Sequence, residues 1–250
     1  PIGFGCLLAN LGMAASSDGE NFISVIYRAG IETELFPLLI FVGVGGMIDF
    51  SPLLSQPRMV LLGAAGQFGI YGTLILATLL GFTLPEAASI GVIGAIDGPT
   101  AIFVTRKLAP HLLAPIAVAA YSYMSLIPII QPPIMKLLTT KKERLIRMEY
   151  TPRPVSKKVR VLFPIAATIG ISLLAPDAAP LIAALMLGNF LKESGVVDRL
   201  NKSAQNEIIN ISTLFLGLSI GATMTAQSFL RLDTLLILAL GLFAFVLDTI

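Results

Sequence analysis

Apolar residues gather into eight runs along the chain, at about 35–48, 58–82, 84–105, 109–138, 159–175, 178–191, 208–226 and 233–250. Crossing the hydrocarbon of a bilayer takes about 20 residues of helix. The runs at 58–82 and 109–138 meet that length. Others are short or interrupted by Gly and Pro, as in FVGVGGM at 41–47 and GAIDGPT at 94–100. Gly and Pro are commoner in membrane helices than in soluble ones, which would account for one such segment. Several in one chain match the pattern of transporter cores, where helices unwind near the midplane.

The polar intervals are short, with one exception. Between Lys136 and Arg160 lie nine of the 17 basic residues, against only Glu143 and Glu149 as acids. A short loop with that bias stays in the cytoplasm. The 109–138 run is therefore expected to end inside, and the 159–175 run to leave from inside.

A faint internal repeat is visible. IFVGVGGMIDFSPLL at 40–54 resembles LFLGLSIGATMTAQSFL at 214–230, and each is followed by an apolar run opening near Arg58 or Arg231. Repeats of this kind are common in transporters, although two Gly-rich membrane helices can also look alike by chance. The expected organisation is one membrane domain over 1–250. Its first repeat would run over about 34–135, the cytoplasmic basic loop over 136–160, and the start of the second repeat, inverted in topology, over about 205–250.

Composition narrows the class. The 250 residues are 55% hydrophobic and 13% charged, whereas soluble domains carry about 25% charge. A soluble fold is excluded, and a single cysteine, Cys6, excludes a disulfide scaffold. A net charge of +2 gives no argument for nucleic acid. No Gly-Lys-Ser phosphate loop, dinucleotide fingerprint or zinc spacing is present, which argues against an ATP-driven pump. The prediction is an all-α, polytopic membrane protein with broken or re-entrant helices. PIGFGCLLANL at 1–11 opens inside an apolar run and GLFAFVLDTI at 241–250 stops inside another, which reads as a fragment of a longer protein.

Most acids sit in polar connections, but Asp97 lies in SIGVIGAIDGPTAIFV at 89–104. A carboxylate at membrane depth costs about 2.5–3.5 kcal/mol on insertion scales, so it is a functional candidate by default. The Gly98-Pro99 pair after it removes an amide donor and frees backbone carbonyls. With the Thr100 hydroxyl these form an oxygen-rich pocket suited to a small hard cation. The plainer alternative is an aspartate at a shallow turn. Tyr121 and Tyr123 lie well inside the next long run, where a phenol needs a hydrogen-bond partner and can relay a proton; packing is the alternative for either. Pro128, Pro132 and Pro133 predict a kinked or extended cytoplasmic half for that run. Gln67 and Asn189 are single polar residues in apolar surroundings that could bridge helices. One histidine, His111, makes no metal site.

At these residues the sequence resembles the membrane β subunit of the biotin-dependent sodium-pump decarboxylases, which act on oxaloacetate, methylmalonyl-CoA or glutaconyl-CoA. The matching stretches include FVGVGGMIDFSPLL (41–54), IDGPTAIF (96–103), KLAPHLL (107–113), AVAAYSYMSLIPIIQPPIMKLLT (117–139) and GNFLKESGVVDRL (188–200). They run in order over nearly the whole chain.

The resemblance implies a membrane subunit in a bacterial or archaeal inner membrane that decarboxylates carboxybiotin and drives Na+ outward. Biotin would arrive covalently on a partner carrier domain. The implied partners are a carboxyltransferase subunit, a biotin carrier subunit and a small membrane subunit, with further copies of the chain as a homo-oligomer and no nucleic acid. The family's essential aspartate, in its Asp-Gly-Pro-Thr motif, falls on Asp97, and its functional tyrosine falls on Tyr123. Asp97, Gly98 and Thr100 are then the expected Na+ ligands, with Asp97 and Tyr123 the catalytic pair. The chain departs from the family in carrying Gly94-Ala95-Ile96 where Gly-Gly-Ala is usual, and it lacks the family's later polar region with asparagine, serine and arginine. The connection at 12–33 and Glu-Leu-Phe-Pro at 34–37 look more like the CoA-ester members. Two other readings stand beside this one: a Na+-coupled secondary transporter without covalent chemistry, and a passive anchor for a catalytic subunit.

Overall fold

The computed structural model describes residues 1–12, 21–147, 154–226 and 231–250. All regular structure among them is helical. In chain order the helices are α1 (Ile2–Asn10), α2 (Phe22–Tyr27), α3 (Leu35–Met47), α4 (Ser51–Ser55), α5 (Val60–Ala65), α6 (Gln67–Leu79) and α7 (Leu84–Gly91). They continue with α8 (Gly98–Leu108), α9 (Leu113–Leu138), α10 (Lys157–Leu174), α11 (Ala179–Ser194), α12 (Asp198–Ser203), α13 (Ile209–Ala222) and α14 (Leu232–Thr249).

Three stretches are long and apolar enough to cross a membrane: Pro57–Leu79, Pro110–Leu138 and Leu232–Thr249. A fourth passes as a broken span, Phe22–Glu32 with Leu35–Met47, bent by 59°. No more than 33% of any of the three continuous spans' most apolar window is buried within the chain. The rest, with Phe68 and Leu79 more than 70% exposed, is surface that only lipid or further protein can cover.

Two compact units emerge, and each has its own packing. The first comprises residues 18–59 and 152–219. Its centre is the crossing of α3 with α11. A β-carbon at Gly45 would collide with the Leu185 carbonyl, and one at Gly188 with the Val42 carbonyl, so glycine at both positions lets the backbones touch. The last four carbonyls of a helix have no partner within it. Here side chains supply the donors. Asn189, buried, gives its Nδ2 to the carbonyls of Gly45 (3.3 Å) and Ile48 (3.0 Å). Lys192 Nζ donates to Ile48 (2.9 Å) and Met47 (3.3 Å), and Gln205 Nε2 to Gly46 (2.9 Å). α3 therefore stops at Met47 with its carbonyls satisfied in apolar surroundings. On its other side α11 pairs with α10 as a hairpin, turned at Pro176–Ala178.

The second unit comprises residues 2–17, 60–151 and 220–250. α6, α7, α8, α9 and α14 close around a core that includes Ala87, Ile90, Ile93, Ile116, Ile237 and Leu240. Helix α9 runs unbroken through Pro128, Pro132 and Pro133, so of the kinked or extended half expected from those prolines the extended form is excluded. Each proline removes one intrahelical hydrogen bond, but in hydrocarbon an extended backbone would expose many more unpaired groups. Gln67 does not bridge helices: its Nε2 reaches back to Gly63 O, at 3.4 Å. Asp248, near the end of α14, accepts from the Gly69 amide at 2.8 Å and so caps α6 from outside that helix.

The end of α13 parallels that of α3. Both helices give way to non-helical backbone, at 48–50 and 224–225. At each break an asparagine from a crossing helix donates to a freed carbonyl, Asn189 to Ile48 and Asn10 to Met224 (2.8 Å). Asn10 Oδ1 also accepts from the Ala226 amide (2.9 Å). Gly221 meets the Ile2 carbonyl as Gly45 meets that of Leu185. Residues 227–230 of the sequence match, and 148–153 of the basic loop, lie outside the described residues.

Candidate functional site

The site is built where a helix is interrupted. Thr83 and Glu86 open α7 with a reciprocal cap, Glu86 Oε2 accepting from the Thr83 amide at 2.8 Å and hydroxyl at 2.7 Å. Its first turn also holds His111 Nε2 at 2.8 Å from Glu86 Oε1, so the histidine has a local partner. α7 tightens into a 3-10 turn at Val92–Ala95, and the chain then turns through Ile96 at φ 55°. A β-branched residue in the left-handed region stores about 1–3 kcal/mol of strain, which persists only where surrounding structure imposes it. The imposing contacts are close. At Gly91 a β-carbon would stand 2.7 Å from Ile70 O, and at Gly94 3.2 Å from Ala244 Cβ, so the turn is pressed between α6 and α14.

Asp97 follows in extended conformation and α8 begins at Gly98. The carboxylate is the N-cap of α8. Its Oδ2 accepts from Thr100 Oγ1 at 2.5 Å and its Oδ1 lies 3.5 Å from the Thr100 amide. Two hydrogen bonds from one residue leave further acceptor positions on the carboxylate.

Tyr121 lies against this turn. A β-carbon at Gly98 would stand 2.6 Å from the Tyr121 Cζ atom, so glycine leaves the space that the ring needs. The Tyr121 hydroxyl is buried and has no hydrogen-bond partner among the described residues. Tyr123 points elsewhere: its hydroxyl donates to the Leu238 carbonyl of α14 at 2.5 Å, and its ring packs beside Gly241. The structure thus brings Asp97, Gly98, Thr100 and Tyr121 together and places Tyr123 on a neighbouring face of α9.

Chemically the cluster offers a carboxylate, two hydroxyls and the carbonyls of an interrupted helix. A hard cation takes oxygen ligands of these kinds. Among the described residues no group of three or more His, Cys, Asp or Glu side chains could hold a metal. A cation here would rest on one charge and several neutral oxygens.

A helical membrane protein with a carboxylate at a broken helix is the class that fold and site define. A family model described as the Na+-transporting oxaloacetate decarboxylase beta subunit matches residues 1–250, and the chain belongs to that family. It is 55% identical to the methylmalonyl-CoA decarboxylase subunit beta of Veillonella parvula, over 100% of this chain and 66% of that one. It is 52% identical to the glutaconyl-CoA decarboxylase subunit beta of Acidaminococcus fermentans, over 98% and 65% of the two chains. It is 54% identical to the oxaloacetate decarboxylase beta chain of Klebsiella pneumoniae, over 91% and 54%. The chain therefore spans about half to two thirds of the length of these relatives. With its apolar helices, the family places it in a membrane.

Proposed function

We propose that this chain is part of the membrane subunit that couples decarboxylation of carboxybiotin to Na+ export. The observation that carries the reading is the Asp97–Thr100 cap at a strained helix break, with the Tyr121 hydroxyl, unpartnered among the described residues, beside it. Na+ is the cargo. Asp97 supplies its charge, and Thr100 Oγ1 and the carbonyls around Gly98 supply neutral oxygens. When Na+ leaves, a proton on Asp97 would neutralise the carboxylate for the return.

Cleavage of the N–CO2 bond of carboxybiotin with uptake of one proton gives biotin and carbon dioxide, an exergonic reaction available to drive the ion. A buried hydroxyl without an acceptor fits that need. Tyr121 stands next to the ion-binding carboxylate and can hold a proton there. Tyr123, hydrogen-bonded to a main-chain carbonyl, fixes α9 against α14 or relays the proton along α9. The basic segment 136–160 is assigned to the cytoplasm. There the carboxyltransferase and biotin carrier subunits would dock, with a small membrane subunit and further copies of this chain completing the complex.

The competing reading is a Na+-coupled transporter without covalent chemistry. The two separate in one experiment on the whole complex in vesicles. Na+-dependent carbon dioxide release that avidin abolishes supports the decarboxylase. Na+ flux that persists with no biotinylated protein present supports the transporter.

A further inference from the structure

We propose that the seam between α10 and α11 is a binding site for one anionic phospholipid. Two cavities share this seam. One, of about 680 Å³, is lined by Lys157, Lys158, Val161, Leu162 and Ser194. The other, of about 270 Å³, lies between Pro164, Ile165 and Ile169 of α10 and Met186, Leu187 and Phe190 of α11. The spacing aligns them. On α10 the lining residues 158, 162, 165 and 169 follow i, i+4, i+7, i+11, which is one helix face. On α11 the residues 183, 187, 190 and 194 follow the same rule. The helices are antiparallel neighbours, so Ser194 sits at the lysine end and Ala183 at the far end.

The result is a groove about 18 Å long, from the twelve residue steps between Lys157 and Ile169. Its chemistry changes along its length. Both ammonium groups are at one end, and neither is ion-paired among the described residues. The neighbouring cation, Arg160, is engaged by Glu193 at 3.4 Å. Beyond Leu162 the walls are apolar. The one hydroxyl there, Thr168 Oγ1, is turned to the Pro164 carbonyl at 2.7 Å and offers the groove nothing polar.

Two cations above an apolar trough complement a phosphate joined to an acyl chain. They do not complement a zwitterionic lipid, whose own cation would meet the lysines, nor free phosphate, which leaves the trough empty. Basic pockets beside membrane helices hold anionic headgroups in this manner. A protein partner would need a helix that is acidic at one end and apolar along the rest. The lipid reading commits the lysine end of the seam to the level of the headgroups.

The test uses the whole complex, delipidated in detergent and melted with phosphatidylglycerol, phosphatidylcholine or inorganic phosphate added. Phosphatidylglycerol is expected to raise the melting temperature of this chain, and the other two to leave it unmoved. Each lysine near an anionic headgroup contributes about fivefold in affinity. The variant Lys157→Gln/Lys158→Gln is exposed at both positions, so it folds, and it should need about 30-fold more phosphatidylglycerol for half its effect. Ala183→Leu fills the far end of the trough and should weaken the same response with both lysines present. Equal protection by phosphatidylcholine, full protection by inorganic phosphate, or an unchanged response in the lysine variant would overturn the proposal. So would loss of subunit assembly in Ala183→Leu with the phosphatidylglycerol response intact, since that outcome assigns the seam to protein.

Discussion

The ring of Tyr121 occupies the space that a side chain at Gly98 would fill, one residue past the carboxylate at the helix break. This contact ties α9 to the start of α8 and decides which of two nearby tyrosines meets Asp97. Its first consequence is a ranking of substitutions. Gly98→Ala forces the ring out and should abolish activity while the chain still inserts. Tyr121→Phe keeps the packing and removes only the hydroxyl, so Na+-dependent turnover should fall by about 10²–10⁴, the range of a lost general acid. Tyr123→Phe loses a hydrogen bond to the Leu238 carbonyl, which keeps its partner in the α14 ladder, and its first effect should be on stability, by about 0.5–1.5 kcal/mol. Turnover and melting measured on all three variants check the ranking, and a larger loss of turnover in Tyr123→Phe than in Tyr121→Phe would reverse it.

A second prediction concerns the α3–α11 crossing. Asn189→Leu keeps the branching of the side chain but leaves the Gly45 and Ile48 carbonyls without this donor, which should cost about 1–3 kcal/mol. Gly45→Ala drives a methyl group into the Leu185 carbonyl and should destabilise by a similar or larger amount. Thermal melting in detergent reads both, and equal stability of either variant with the parent would contradict the packing described.

Orientation can be measured directly. Ser156, exposed at the N-cap of α10, becomes the only thiol of residues 1–250 in a Cys6→Ser/Ser156→Cys variant. With the 136–160 segment in the cytoplasm, a membrane-impermeant thiol reagent should label it in inside-out vesicles and not in intact cells.

One pH effect belongs to the same segment. The backbone and hydroxyl of Thr140 donate to Glu143 and hold its carboxyl below the usual carboxylate range. A lowered folded-state value means that the local turn is favoured above the unfolded pKa of about 4.3. That advantage is lost as pH falls through the folded value. Carboxyl chemical shifts of Glu143 should therefore titrate below those of a free glutamate, and Thr140→Ala should raise the midpoint.

Much of this architecture was legible in the sequence, and what was not has physical causes. Length and apolarity alone predict the spans at 58–82 and 109–138, and they appear at Pro57–Leu79 and Pro110–Leu138. Gly-Pro after an aspartate predicts the interruption at Asp97, because proline lacks an amide and glycine lacks a side chain. Which tyrosine faces that aspartate was not legible: two steps along a helix turn a side chain through about 200°, so the answer depends on how α9 is rotated against α8. Nor was Ile96 at positive φ, since a β-branched residue is the last that local preference would put there. Asn189 reads as a polar residue among apolar ones, but its target, the end of a helix over 140 positions away, exists only once α3 and α11 cross.

Na+-dependent decarboxylation by the whole complex carrying Asp97→Asn tests the central claim most directly. The amide keeps the size and one acceptor oxygen and removes the charge that would hold the cation. With Asp97 as the ion-binding carboxylate, carbon dioxide release and Na+ uptake into inverted vesicles should both collapse while the complex assembles and inserts. Na+ should raise the melting temperature of the parent and not of the variant, because a ligand stabilises only the state that binds it. Were the carboxylate no more than the N-cap of α8, asparagine would serve equally well. A variant with parental turnover and unaltered Na+ dependence would contradict the account.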